Sequence, residues 1–327
     1  MVTYLLFALG LFLLIKGADW LVDGASAIAK RFGIPELVVG LTVVAFGTSA
    51  PELIINIIAS IRGNAEIAVG NVLGSNIANI LLILGVSALL FPLKVSKTTA
   101  KYELPFSLAA TAVTGILAHN FFFGNEQCSL NRLDGIGLLL LFFGFWYYTY
   151  RLSKPSMLAS KSNKNSTTKK EQYSPIPKSL FFILLGVGCL FLGGKWVVEG
   201  AVSIATAFNI SEGLIAITLV AVGTSLPELA TSIAAARKQK SDIATGNAIG
   251  SNIFNLLWVL GLSSVIRTLP YAKTSDIDIV ANIITGLIML ACILPGKKLM
   301  LGRKSGLLFL LLYATYIILS IKSRGMS

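Results

Sequence analysis

Apolar runs of bilayer-spanning length follow one another along this chain, separated by short polar breaks. In the first half they predict spans over 3–28, 37–60, 67–90, 104–122 and 133–150. In the second half they predict spans over 180–206, 213–236, 243–266, 277–295 and 306–321. Between the halves, Arg151–Lys178 is rich in Lys, Ser, Asn and Thr and carries Pro155, Pro175 and Pro177, so it reads as a polar linker. The expected organisation is therefore 1–150, a linker over 151–178, and 179–327. The first run has no basic segment before it and contains Lys16, Asp19 and Asp23, so a retained helix is expected rather than a cleaved signal.

Some polar positions fall where lipid would tolerate none of them. Gly47-Thr48-Ser49-Ala50-Pro51-Glu52 interrupts the second run, and Gly223-Thr224-Ser225-Leu226-Pro227-Glu228 interrupts the seventh. The two blocks are 176 residues apart, and the same offset pairs Trp20 with Trp196, Gly24 with Gly200, and Glu36 with Glu212. Downstream it pairs Gly70-Asn71 with Gly246-Asn247, Gly74-Ser75-Asn76 with Gly250-Ser251-Asn252, and Asn79 with Asn255. An ungapped register over roughly 65 residues marks an internal duplication.

Composition and charge add class and orientation. With 55% hydrophobic and 13% charged residues, a soluble domain could not bury the apolar surface, so the chain is expected to be an all-α polytopic membrane protein. The net charge of +12 is then a loop property, not a nucleic-acid footprint. With the N-terminus outside, nineteen Lys and Arg residues fall on the inner side and six on the outer, so both termini are expected to be extracytoplasmic. Five spans per half is an odd number. The halves must then insert upside down relative to each other, giving ten transmembrane helices in two inverted-topology five-helix repeats. Cys128, Cys189 and Cys292 show no disulfide or metal spacing. No phosphate loop, nucleophile triad or thiol pair points to an enzyme or a cofactor.

The polar blocks have a specific chemistry. On a helix, Thr48 and Ser49 lie four and three residues before Glu52, so the three can share a face. Pro51 has no N–H, which frees backbone carbonyls near Ala45, Phe46 and Gly47 that a bound cation can satisfy. Ser75 and Asn79 add a second oxygen stripe, and the duplicate supplies Thr224, Ser225, Glu228, Ser251 and Asn255. Two carboxylates with hydroxyl, amide and backbone oxygens suit Ca²⁺ and, by similar chemistry, Na⁺, and do not suit zinc or copper.

The doubled GTS-x-PE and GN-x-x-GSN-x-x-N blocks resemble the alpha repeats of the cation/calcium exchanger superfamily, most of all the prokaryotic sodium/calcium exchangers. The resemblance implies Na⁺/Ca²⁺ antiport by alternating access in a prokaryotic plasma membrane, with the first and sixth helices sliding against a rigid core. Na⁺, Ca²⁺ and the lipid bilayer are then the partners, and a monomer suffices for transport. It also implies that Glu52 and Glu228 are shared carboxylates and that Thr48, Ser49, Thr224 and Ser225 give hydroxyl or backbone oxygens. Ala45 and Ala221 would give carbonyls, Ser75 and Ser251 would complete flanking Na⁺ sites, and Asn79 would line the centre. At Asn255 some relatives carry Asp, associated with potassium dependence in one branch. With both asparagines neutral the site carries two negative charges, which one Ca²⁺ or two Na⁺ neutralise. The resemblance implies three Na⁺ per Ca²⁺, hence electrogenic exchange. Proton-coupled divalent exchange is the rival, although Val72 and Ala248 stand where that branch has acids. A cation channel and a Ca²⁺ sensor are further alternatives.

Plainer roles compete at several positions. The prolines can be simple kinks, and Ser75 and Ser251 can be small residues for helix packing. Lys16 with Asp19 or Asp23, and Lys195 with Glu199, are at helical pairing distance. Glu36 and Glu212 suit helix starts. His119 and the aromatic run Phe142–Tyr150 suit loop and membrane-interface positions. The basic linker suits a solvated inner loop or an anionic lipid surface.

Overall fold

A computed structural model of the protein describes residues 2–63, 65–119, 128–163, 174–207, 221–271, 275–294 and 299–323. They are mostly helical. The first half contains α1 (Val2–Phe32), α2 (Glu36–Thr48), α3 (Ala50–Arg62), α4 (65–90), α5 (99–118) and α6 (Arg132–Asn163). The second contains α7 (Ile176–Ala207), the one-turn α8 (Ala221–Thr224), α9 (Leu226–Arg237), α10 (Ser241–Ile266), α11 (Ser275–Ile293) and α12 (Arg303–Ser323). Seven helices among the described residues are long and apolar enough to cross a bilayer, and α2 with α3 forms an eighth, broken candidate. The chain is an integral, multi-pass membrane protein. Of the other two expected spans, 104–122 is helical through Ala118, and 213–236 is helical from Ala221. Phe208, Ile210 and Glu212, with the start of that span, lie outside the described residues.

Burial separates a centre from a periphery. In α4 and α10, 78% of the most apolar window is buried, against 33% in α1 and α7 and 17% in α12. The two innermost helices are thus the ones that carry the GN-x-x-GSN blocks, whose small residues let neighbours approach closely. A methyl on Gly250 would lie 2.8 Å from the Leu41 carbonyl of α2, and one on Gly246 would lie 3.0 Å from the Leu37 carbonyl. Two two-residue strand pairs tie the helix ends. Leu93–Lys94 (β1) runs antiparallel to Met300–Leu301 (β4), and Ser129–Leu130 (β2) to Leu269–Pro270 (β3). Each pair takes one strand from each half.

The outer pair, α1 and α7, packs antiparallel along a glycine seam spaced every seven residues. A methyl on Gly10 would fall 2.9 Å from the Gly193 carbonyl, and one on Gly17 the same distance from the Gly186 carbonyl. At Gly24 the obstacle is the Ser179 carbonyl, at 2.7 Å. The same 176-residue offset relates Gly10, Gly17 and Gly24 to Gly186, Gly193 and Gly200. Only glycine leaves room for backbones this close.

Several expectations change. The stretch expected to be a flexible linker is helical at its start: α6 continues through Asn163, because Lys, Ser, Met, Leu and Ala sustain a helix and Pro155 removes only one hydrogen bond. Pro177 stands in the first turn of α7, where its missing N–H has no partner to lose. Residues 164–173 lie outside the description. Asp19 does not turn to Lys16. It pairs with Arg237 at 2.6 Å and Lys238 at 3.2 Å, and Lys238 also reaches Asp23 at 2.8 Å, fastening α1 to the end of α9. Lys195 and Glu199 do pair, exposed, at 3.8 Å. Glu36 sits in the first turn of α2 and accepts from Ser26 Oγ at 2.8 Å. Within the aromatic run, Phe142 and Phe145 are buried, and Phe142 packs on Phe254 and Trp258 of α10. Trp146, Tyr147 and Tyr150 remain exposed. His119 ends α5 with Nε2 3.2 Å from Asp276.

Gly17→Leu should wedge α1 away from α7. Overpacking of this kind costs about 1–3 kcal/mol. A lowered melting temperature in detergent is expected, while Gly302→Ala, which meets nothing within 4 Å, should leave it unchanged.

Candidate functional site

The GTS-x-PE block breaks its helix. Ser49 has φ −84° and ψ 8°, and α2 and α3 meet there at 48°. Pro51 lies in the first turn of α3, so the break sits where its missing N–H costs nothing. The second block repeats the geometry, with Ser225 at φ −89° and ψ 5° and Pro227 in the first turn of α9. Each carboxylate, Glu52 and Glu228, therefore lies in the first turn of a new helix, at its positive dipole end. In the sequence Thr48, Ser49 and Glu52 share one helix face. In the structure the helix ends between them, and Ser49 crosses to the other half: its Oγ donates to Glu228 Oε1 at 2.9 Å.

Both carboxylates are almost fully buried, 1% exposed each, and stand close enough to repel one another. Among the described residues neither is in an ion pair with a basic side chain. Thr224 and Ser225 lie beside Glu52, mirroring Thr48 and Ser49 beside Glu228. Even so, Glu52 Oε1 and Oε2 and Glu228 Oε2 lack partners in hydrogen-bonding geometry. So do the buried oxygens Ser75 Oγ, Asn79 Oδ1, Ser225 Oγ, Ser251 Oγ and Asn255 Oδ1. Buried polar atoms are normally paired, and oxygens of carboxylate, hydroxyl and amide groups are the donor type that hard cations take. Thr48 and Thr224 are buried as well.

Two expected carbonyl donors differ from the rest. The Ala45 carbonyl is not free: it accepts the Ser49 N–H at 3.0 Å, with Thr48 Oγ1 at 3.3 Å. The Thr48 hydroxyl has a nearer acceptor in Asn247 Oδ1, at 3.0 Å, so turning fully to it opens one lone pair on Ala45. Ala221 opens α8, and its side chain lies outside the description.

Other elements of the site are not predicted from spacing. Wide π-helical turns begin at Asn79 (Asn79–Leu84) and at Phe254, one residue before Asn255 (Phe254–Val259). Such turns shift side-chain register inside a helix and mark functional positions. Asn247 gathers Thr48 of the first half, and its Nδ2 donates to Ser232 Oγ at 3.0 Å and to the Glu228 carbonyl at 3.3 Å. Asn76 and Asn252 link α4 to α10. All three stand inside the doubled motif, so the repeat itself was the available signal.

A broken membrane helix with a buried carboxylate at the break and, among the described residues, no basic side chain paired to it, present twice, defines an ion-handling membrane protein. A family model described as sodium/calcium exchanger protein matches residues 2–151 and 178–322. The chain belongs to this family, whose members are transporters and not enzymes. Inner membrane protein YrbG of Escherichia coli (strain K12) is 39% identical over 294 residues, 86% of this chain and 87% of that protein. Sodium/calcium exchanger MaX1 of Methanosarcina acetivorans is 34% identical over 344 residues, 97% and 98% of the two chains. The solved structure of the sodium-calcium exchanger NCX_Mj soaked with Na⁺ and Ca²⁺ superposes with a TM-score of 0.79. Its identity is 34%, and the match covers 97% of this chain and 98% of that one.

An unpaired buried carboxylate is costly in the ion-free protein. Glu52→Gln should raise stability in chelator by about 1–3 kcal/mol. It should also remove most of the stabilisation that millimolar Ca²⁺ gives the native chain, as read by thermal unfolding in both conditions.

Proposed function

We propose that the protein is a Na⁺/Ca²⁺ antiporter working by alternating access. The ions are held by Glu52 and Glu228 with oxygens of Thr48, Ser49, Ser75, Asn79, Thr224, Ser225, Ser251 and Asn255. The carbonyls of Ala45 and Ala221 serve the flanking Na⁺ positions. The observation that carries this is the set of buried oxygens without partners, together with two buried carboxylates that no basic side chain among the described residues pairs with. Ca²⁺ takes about six to eight oxygens, and this set offers that number without nitrogen or sulfur. Relatives named as sodium/calcium exchangers, and an exchanger structure soaked with both ions, support the same substrates.

The proposed architecture is ten transmembrane helices in two inverted five-helix repeats, 1–150 and 179–327, joined by an inner segment. Both termini lie outside the plasma membrane of a prokaryote. The doubled motifs support this, as do the two stretches matched by the family model and the strand pairs that each take one strand from either half. The glycine seam lets α1 and α7 move as one body past the more buried α4 and α10. With two Na⁺ the site is neutral, and a third makes exchange electrogenic. Each net charge moved is then worth about 2.3 kcal/mol per 100 mV.

Flux distinguishes this from proton coupling. In proteoliposomes, ⁴⁵Ca²⁺ uptake should follow an outward Na⁺ gradient and not an outward H⁺ gradient. Glu52→Gln and Glu228→Gln should each lower it at least a hundredfold. Uptake driven by H⁺ alone would transfer the protein to the proton-coupled branch.

A further inference from the structure

Four asparagines cross the centre of the molecule, and their amide ends are not interchangeable. Asn76 Nδ2 donates to the Asn252 backbone carbonyl at 3.2 Å, and Asn252 Nδ2 donates to the Asn76 backbone carbonyl at 3.1 Å. A carbonyl only accepts, so these two bonds fix which end of each amide is nitrogen. The oxygens are then fixed as well. Asn252 Oδ1 accepts from Asn79 Nδ2 at 2.9 Å, and Asn76 Oδ1 accepts from Asn255 Nδ2 at 3.3 Å. All four side chains are buried. The remaining ends, Asn79 Oδ1 and Asn255 Oδ1, are buried without a partner.

The pattern obeys the 176-residue offset twice over, with Asn76 and Asn252 exchanging places and Asn79 and Asn255 doing the same. Had the brace accepted the oxygen ends instead, Asn79 and Asn255 would turn NH₂ groups toward the other unpaired oxygens. An NH₂ group cannot ligate a cation and repels one.

We propose that Asn76 and Asn252 are positioning residues: they hold the amides of Asn255 and Asn79 with the oxygen, not the nitrogen, available to the transported ion. This rests on the cation-binding function proposed above. The brace touches no ion itself. Its backbone bonds set an orientation that the ligand amides could not keep alone.

The test uses a carboxylate, whose two oxygens make orientation irrelevant. Half-saturation by Ca²⁺ is read from Na⁺-driven ⁴⁵Ca²⁺ uptake by the full chain. Asn252→Ala should raise it about tenfold or more, the order expected for losing one contact to a charged group. In an Asn79→Asp background, Asn252→Ala should leave half-saturation unchanged or improve it, because the Asn252 oxygen opposes the new carboxylate. The mate pair, Asn76→Ala with Asn255→Asp, should behave alike. An equal loss in both backgrounds would mean that Asn252 only supports packing and would overturn the proposal. No loss in the native background would overturn it too. If Asn252→Ala does not fold, Asn252→Leu fills the same space without an amide and carries the comparison. A native chain with neither Na⁺-driven nor H⁺-driven uptake, or with uptake that survives Glu52→Gln, would reject the underlying cation site, and would do so before any asparagine is changed.

Discussion

Two buried carboxylates with which, among the described residues, no basic side chain pairs are the constraint on which the rest of this structure depends. Burying one such charge costs several kcal/mol even after relaxation, and the second adds repulsion. The fold meets that cost with polar backbone and hydroxyls. Each helix is broken just before its glutamate, so the acid meets the positive end of a new helix. Ser49 reaches across from one half to the acid of the other. Among the described residues a set of buried oxygens stays unpaired, the set proposed above to hold the cation.

The same constraint explains where glycine and asparagine concentrate. The polar residues must converge from two halves, and at Gly246 and Gly250 α10 lies against the broken α2 with almost no side chain between them. The asparagines of these inner helices satisfy one another across the centre and leave single oxygens over. At the periphery, α1 and α7 pack through glycines every seven residues, and α1 is fastened to the end of α9 by Asp19 and Asp23 with Arg237 and Lys238. The fastening is repeated only in part by the offset: it places Ile61 opposite Arg237 and Lys195 opposite Asp19, and although it keeps an acid and a base, Glu199 and Arg62, opposite Asp23 and Lys238, Glu199 pairs with Lys195 on its own helix. Two halves that repeat the site do not repeat the attachment of the outer helices.

Much of this was legible in the sequence because a bilayer leaves few choices. Hydrophobic runs of spanning length had to be helices, and acids within them had to face a polar interior. The repeat then named the residues of the proposed site twice. What the sequence did not carry was relation across the halves. Helical spacing put Thr48 and Ser49 with Glu52, whereas the break at Ser49 turns them to Glu228 and Asn247. The π-helical turns at Asn79 and Asn255 and the roles of Asn76 and Asn252 depend on a facing helix that local periodicity does not describe. The extension of α6 through Asn163 was hidden for a different reason: a polar composition lowers packing, not helix propensity.

Equilibrium binding of ⁴⁵Ca²⁺ to the purified chain tests the central claim most directly, because it needs neither a gradient nor a conformational cycle. The account predicts one Ca²⁺ per chain, displaced by Na⁺ with a steep concentration dependence, and no binding in the Glu52→Gln, Glu228→Gln double variant. Binding that survives the loss of both carboxylates, or that Na⁺ fails to displace, would contradict it.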